Sequence, residues 1–206
     1  TYGKDELAYL SRYHKDRQAF VDGVDAWRER QGRVAVTELD NTKTYAASRH
    51  ASSINASALI YTCALADFAA INRDAFDIAA VCGNSLGWYL TLAAAGAVDE
   101  ANAIRLVDTM GALMEEKGVG GQLIYPFVDE NWRASDANAK AIAEALHAGK
   151  TDGEAFLSIR LGGMAVLAGD EAGIAAMEKS LPPAERRYPF RLARHAAFHT
   201  PLLQHV

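Results

Sequence analysis

The sequence predicts an α/β fold in two parts, a core built around a tight strand-to-helix turn and a ferredoxin-like subdomain. Two observations carry this. Residues 77–96 read as strand, turn and helix: an apolar run, Asp77–Cys82, then Gly83-Asn84-Ser85-Leu86-Gly87, then an Ala/Leu-rich stretch with helical spacing. Residues 121–194 read as β-α-β-β-α-β, the order of a ferredoxin-like unit. The expected division is a core from residues 1–118 and 195–206, with the subdomain at 119–194. Gly118-Val-Gly120-Gly121 precedes a strand, not a helix, so it reads as a hinge and not as a phosphate loop.

Taken in order, residues 4–31 have amphipathic helical spacing, with Leu7, Leu10, Phe20, Val24 and Trp27 apolar and Gly32 as the stop. Arg33–Leu39 is too short to assign, and Asp40-Asn41-Thr42 is a turn. From Ser48 to Ile71 the residues Ile54, Ala58, Tyr61, Leu65 and Phe68 recur every three or four positions, a buried helix. Asp77–Cys82 is apolar enough for a strand buried on both faces. Asp99 caps a further helix with Ile104, Val107, Met110 and Met114 on one face, closed by Gly118.

Beyond Gly118 the rhythm changes. Gln122–Val128 alternates like a strand, and Ser135–His147 is an Ala-rich helix with Ser135 as N-cap. Glu154–Leu161 and Met164–Ala168 form a hairpin around Gly162-Gly163. Glu171–Leu181 is a helix stopped by Pro182-Pro183, and Tyr188–Ala193 is the last strand. Outside residues 121–194 there is one firm strand and one doubtful one. A strand-to-helix elbow belongs on a parallel sheet of several strands. The expectation is a chain that lacks sheet strands at one or both ends.

Composition narrows the function classes. Of 206 residues, 50% are hydrophobic and 23% charged, enough apolar mass for a substantial core. A net charge of −5 without a basic stripe argues against nucleic acid as a partner. No apolar run reaches the ~18 residues of a membrane span. The two cysteines, Cys63 and Cys82, lie in apolar runs and read as reduced core residues of a cytoplasmic protein.

The G-x-S-x-G turn has a mechanical logic. A turn this tight calls for nearly side-chain-free positions at Gly83 and Gly87. Ser85 is thereby raised at a helix N-terminus, where the Leu86 backbone N–H and the helix dipole favour a developing oxyanion. The plainer reading is a glycine-rich turn with an idle serine. A serine nucleophile needs a base within hydrogen-bond reach. Of six histidines, His14 and His147 lie on polar helix faces and read as solvated, whereas His199 follows the last strand, where such a base is expected. His195 and His199 have a metal-ligand spacing but lack an adjacent Glu and a third ligand, so no metal is expected.

Several stretches together resemble malonyl-CoA:acyl carrier protein transacylases and polyketide acyltransferase domains. They are Gly83-Asn-Ser-Leu-Gly87, the Ala-Ala-Ala-Gly-Ala-Val run after it, Leu106-Val-Asp-Thr-Met-Gly111 with Met114, and Ala197-Phe-His199-Thr. The resemblance covers essentially the whole chain. It implies an α/β-hydrolase-like core with the ferredoxin-like subdomain inserted between serine and histidine, and a chain incomplete at both ends. The family's P-G-Q-G segment and the carbonyl that orients its histidine have no counterpart here. It further implies that Ser85 is acylated, that His199 acts as base and then acid, and that the Leu86 N–H is an oxyanion donor. The implied reaction is ping-pong, from an acyl-CoA through acyl-serine to the phosphopantetheine thiol of an acyl carrier protein, with no separate cofactor. The implied protein is a cytoplasmic monomer.

Departures from the family pattern bear on the substrate. Asn84 replaces the histidine before the nucleophile, a polar-for-polar change. Met110 replaces the arginine that pairs with the malonyl carboxylate, so a bidentate charged contact becomes a soft apolar one. An unpaired carboxylate in a partly desolvated pocket costs on the order of several kcal/mol, enough to reverse substrate choice. Arg105 is on another face of the same helix. Arg49-His50 stands where the family has Gln-Pro: either Arg49 takes over the carboxylate, or it is a solvated helix-start residue. Arg160-Leu-Gly-Gly-Met164 lacks the Asn and Gln of the family's N-x-P-G-Q. Trp88 either narrows the pocket or packs in the core. Phe198 matches members that take malonyl, against the direction of Met110. Two alternatives to acyl transfer stand: an acyl-thioester hydrolase on the same scaffold, and a non-catalytic relative that docks carrier proteins.

Overall fold

The structure, a computed structural model, describes residues 2–185 and 187–206. It divides into two compact units, residues 1–115 and 116–206.

The first unit is helical. Where a single helix is expected over residues 4–31, the chain is broken into helix α1 (Tyr9–Tyr13) and helix α2 (Gln18–Arg30), with single 3-10 turns at Lys4–Glu6 and Lys15–Arg17. The start of α1 has a non-local cause. The fully buried Asp40 carboxylate accepts hydrogen bonds from the Tyr2 hydroxyl (2.6 Å) and from the backbone N–H groups of Tyr9 (2.9 Å) and Leu10 (3.2 Å). It thereby satisfies the orphan donors at the start of α1. His14, expected to be solvated, is buried, with Nε2 2.7 Å from Asp67 Oδ1. The unassigned stretch becomes α3 (Val36–Asp40).

The helix expected from Ser48 divides into α4 (Ala47–His50) and α5 (Ser53–Ala69). His50 is buried at the break, where its ring bonds the Leu39 carbonyl (3.1 Å) and the Thr42 hydroxyl (3.0 Å). α5 is the axis of this core: Leu59, Tyr61 and Leu65 pack with Val24, Leu39, Ile104 and Val107. Helix α6 (Leu86–Ala94) and helix α7 (Glu100–Lys117) complete the unit, α7 with the expected cap, Asn102 N–H to Asp99 Oδ1 at 2.8 Å.

Two expectations fail here. Asp77–Cys82 runs into the elbow without pairing to any other strand among the described residues, and Asp77, Ala79, Ala80 and Cys82 are exposed. Its composition suits a buried strand, but a ladder needs a neighbour to exchange hydrogen bonds with. For the same reason Cys82 is exposed and not a core residue, while Cys63 is half-buried and burial pushes its thiol up to about 12.

The second unit has the expected ferredoxin-like order. β1 (Gly121–Pro126), helix α8 (Asp136–Asp152), β2 (Ala155–Leu161), β3 (Met164–Gly169), helix α9 (Glu171–Ser180) and β4 (Phe190–Arg191) form a four-stranded sheet in the order β2-β3-β1-β4. All pairings are antiparallel. Ser135 caps α8 by accepting from Asn138 N–H (3.2 Å), and Asp170 caps α9 by accepting from Gly173 N–H (2.7 Å). Leu123, Tyr125, Leu167, Ile174 and Met177 form the core between sheet and helices. β4 is shorter than the expected Tyr188–Ala193, because Pro189 has no N–H to give to a ladder. Residues 195–206, expected with the core, group with this second unit, where Ala197 N–H donates to the Val119 carbonyl (2.8 Å).

No helix among the described residues is long and apolar enough to cross a membrane.

Candidate active site

Ser85 is the residue just before α6, and its backbone is strained. It has φ +56° and ψ −121°, a conformation that L-residues seldom adopt. Strain of this kind is what a strand-to-helix elbow with a central serine calls for. The turn closes through Gly87 N–H to the Asn84 carbonyl (2.9 Å) and Trp88 N–H to the Ser85 carbonyl (3.0 Å). A Cβ at Gly83 would stand 2.0 Å from the Gly87 carbonyl oxygen and 2.7 Å from Thr91 Oγ1, so only glycine fits. The crowding is one-sided. A Cβ at Gly87 would meet nothing within 4 Å, contrary to the expectation that both glycines are sterically required.

Leu86 opens α6, so its backbone N–H lacks an acceptor within the helix, as an oxyanion donor requires. Its side chain packs on the helical core. Asn84 is exposed. Trp88 is 68% exposed, so it is not a core residue.

Met110 is half-buried on α7. The next residue explains part of that motif: a Cβ at Gly111 would come 2.8 Å from the Ser53 carbonyl and 3.0 Å from Ser57 Oγ, so α7 needs glycine to approach α5. Two residues before Met110, the fully buried Asp108 accepts from Arg28 Nη1 (2.5 Å), from Trp27 Nε1 (3.0 Å) and from Arg33. Burial lowers the Arg28 pKa against the pull of Asp108. Arg49 pairs with Glu38 in a partly exposed bridge, so its guanidinium is engaged locally on the surface.

In the second unit, His199 also has a left-handed backbone, φ +57°. It lies between Phe198, half-buried and edge-on to the His195 ring at 5.6 Å, and Thr200, whose hydroxyl donates to the Ala197 carbonyl (2.6 Å). The Phe198 carbonyl accepts from Ser158 Oγ (2.8 Å) and from Gln122 Nε2 (3.4 Å). His195 is exposed as a residue, but local desolvation of its ring lowers the pKa from the ordinary imidazole value. Gln122 and Ser158 were not visible as site residues in the sequence. Gln122 has one signal, a polar residue inside an otherwise apolar strand, and Ser158 shares its strand with Arg160 and has none. Among the described residues no group of three His, Cys, Asp or Glu side chains is placed to hold a metal ion.

The sequence matches no protein-family model and no curated protein. Solved structures do match. An acyl-carrier-protein S-malonyltransferase from Burkholderia pseudomallei aligns at TM-score 0.70 and 21% identity, over 97% of this chain and 63% of that one. The malonyl-CoA:ACP transacylase of Synechocystis aligns at TM-score 0.68 and 23% identity, over 89% of this chain and 57% of that one. The acyl transferase domain of ZmaA aligns at TM-score 0.67 and 15% identity, over 99% of this chain and 46% of that one. The chain thus spans less than two thirds of the length of these structures. Over nearly all of its own length, at low sequence identity, it resembles part of the fold of the malonyl-CoA:acyl carrier protein transacylases and polyketide acyltransferase domains.

Proposed function

We propose that this chain carries the reacting serine and histidine of an acyltransferase that moves malonyl or a related short acyl group from coenzyme A to an acyl carrier protein. The observation that supports it most is Ser85, held at φ +56° ahead of α6 within a fold shared with malonyl transacylases. In this reading His199 takes the proton from Ser85 Oγ as that oxygen attacks the thioester carbonyl. The Leu86 N–H stabilises the oxyanion, the C–S bond breaks, and the coenzyme A thiolate leaves with the proton that His199 returns. The phosphopantetheine thiol of the carrier protein then attacks the acyl-serine ester, again with His199 as base, and Ser85 Oγ recovers its proton. Support for the carrier protein comes from a similar structure, a type II polyketide acyl-carrier protein in complex with its malonyl transacylase, at 19% identity.

The test is incubation with malonyl-CoA or acetyl-CoA followed by intact mass. A covalent acyl adduct that is absent from Ser85→Ala and discharges onto carrier-protein thiol is expected. Free acid without transfer indicates a thioester hydrolase. No adduct and no hydrolysis indicates a carrier-docking role without turnover.

A further inference from the structure

We infer that Gln122 and Ser158 are positioning residues for His199, acting together on the Phe198 carbonyl; the inference rests on the acyltransfer reading for its catalytic consequence only. The torsion φ of residue 199 is a rotation about its own N–Cα bond, so it depends on the orientation of the 198–199 peptide plane. The oxygen of that plane is the atom that Ser158 and Gln122 hold. A histidine at φ +57° is in a sparsely populated conformation that persists only where its surroundings over-determine it. With that hold removed, the loop is expected to relax toward negative φ at residue 199 and to shift the Cα that carries the imidazole.

The two donors are themselves fixed. Ser158 is the extra residue of a β-bulge: Leu157 pairs with Leu167 and Ile159 with Val166, leaving Ser158 without a ladder partner. A bulge re-aims a side chain, and here the hydroxyl it frees reaches the 198 carbonyl. Gln122, 2% exposed, lies on the central strand β1. Its Oε1 accepts from His195 Nδ1 (2.9 Å), which turns the amide nitrogen toward Ser158 Oγ (3.0 Å) and the 198 carbonyl. The hydrogen bonds run in one direction, His195 to Gln122 to Ser158 to Phe198, so each polarises the next. At the other end of the turn, the Ala197 N–H bond to Val119 and the Thr200 bond to Ala197 hold the flanks.

The test uses the full chain with Ser158→Ala, Gln122→Leu, the double variant and the conservative Ser158→Thr. Two readouts are taken on folded protein, checked by circular dichroism: the φ of His199 from a crystal structure or from its amide three-bond coupling, and the kinetics of Ser85 acylation. The double variant is expected to move His199 to negative φ and to lower kcat by about 10- to 100-fold with KM nearly unchanged. Ser158→Thr, which keeps the hydroxyl, restores both. A double variant that retains φ near +57°, or one that loses it with kcat intact, overturns the inference. If the unaltered protein takes no acyl group, the acyltransfer reading fails by itself, and the φ of His199 alone decides whether these residues position it.

Discussion

The backbone of Gly83 lies against that of Gly87 so closely that a single added methyl carbon would stand 2.0 Å from the Gly87 carbonyl oxygen. That carbonyl also accepts from Thr91 Oγ1 at 2.8 Å, so the obstacle is pinned into α6 and not free to swing aside. Gly83→Ala is therefore expected to open the elbow, lose Ser85 acylation and destabilise the chain by about 2–4 kcal/mol, in the range of core overpacking and strain. Gly87→Ala, with open space around its Cβ, is expected to fold with less than about 1 kcal/mol of change. Equal losses in urea unfolding for the two variants would contradict this asymmetry.

Ser85 itself is held in a conformation that favours glycine. Both Ser85→Ala and Ser85→Gly remove the hydroxyl and are expected to abolish acylation. They should differ in stability. Glycine tolerates φ +56° without the Cβ clash, so Ser85→Gly should be more stable than Ser85→Ala by about 1 kcal/mol, despite glycine's greater unfolded-state entropy. Thermal unfolding of the pair reads the strain directly.

Asp108 and Arg28 are both fully buried, and each is the other's charge partner. Asp108→Asn leaves the Arg28 guanidinium buried without a counter-charge, for which the expected cost is about 3–5 kcal/mol. Since the carboxylate also receives Trp27 and Arg33, the loss should loosen the attachment of α7 to α2. A urea series should show a lower midpoint and faster amide exchange along α7.

Met110 and Arg49 separate two readings of acyl choice. The Arg49 bridge to Glu38 is partly exposed, a setting worth about 0–1 kcal/mol. Arg49→Met is expected to leave both stability and malonyl transfer nearly unchanged. Met110→Arg is expected to raise malonyl over acetyl use by roughly 10-fold or more, through a restored carboxylate partner. Competition between the two thioesters, scored by adduct mass, checks both.

What was legible in the sequence is what local physics determines. The βαββαβ unit was readable because alternation, the Gly162-Gly163 turn and the Ser135 cap are each signalled within a few residues. The elbow was readable because the approach of Gly83 to Gly87 is a contact across four positions. The breaks in the first unit were not readable, because Asp40 starts α1 from 30 residues away and His50 is bonded to Leu39 and Thr42 across a turn. Asp77–Cys82 had strand composition, but composition does not state who pairs with it. The bulge at Ser158 escaped for a related reason: register belongs to two strands at once, and neither sequence alone records the slip.

His195 gives the pH-dependent prediction. Local desolvation lowers its pKa below the ordinary 6.5, so between the lowered value and 6.5 the unfolded chain binds more protons than the folded one. Stability from this group is present above pH 6.5 and is lost as pH falls through that window. The diagnostic is the difference between the unaltered protein and His195→Asn, in which contributions common to both chains cancel. Asn retains a side-chain amide near Gln122 but has no proton to gain. The difference in unfolding free energy should be flat above about pH 7 and should narrow or reverse as pH drops toward 5. A difference that does not change with pH would mean that the His195 pKa is the same in the folded and unfolded chains.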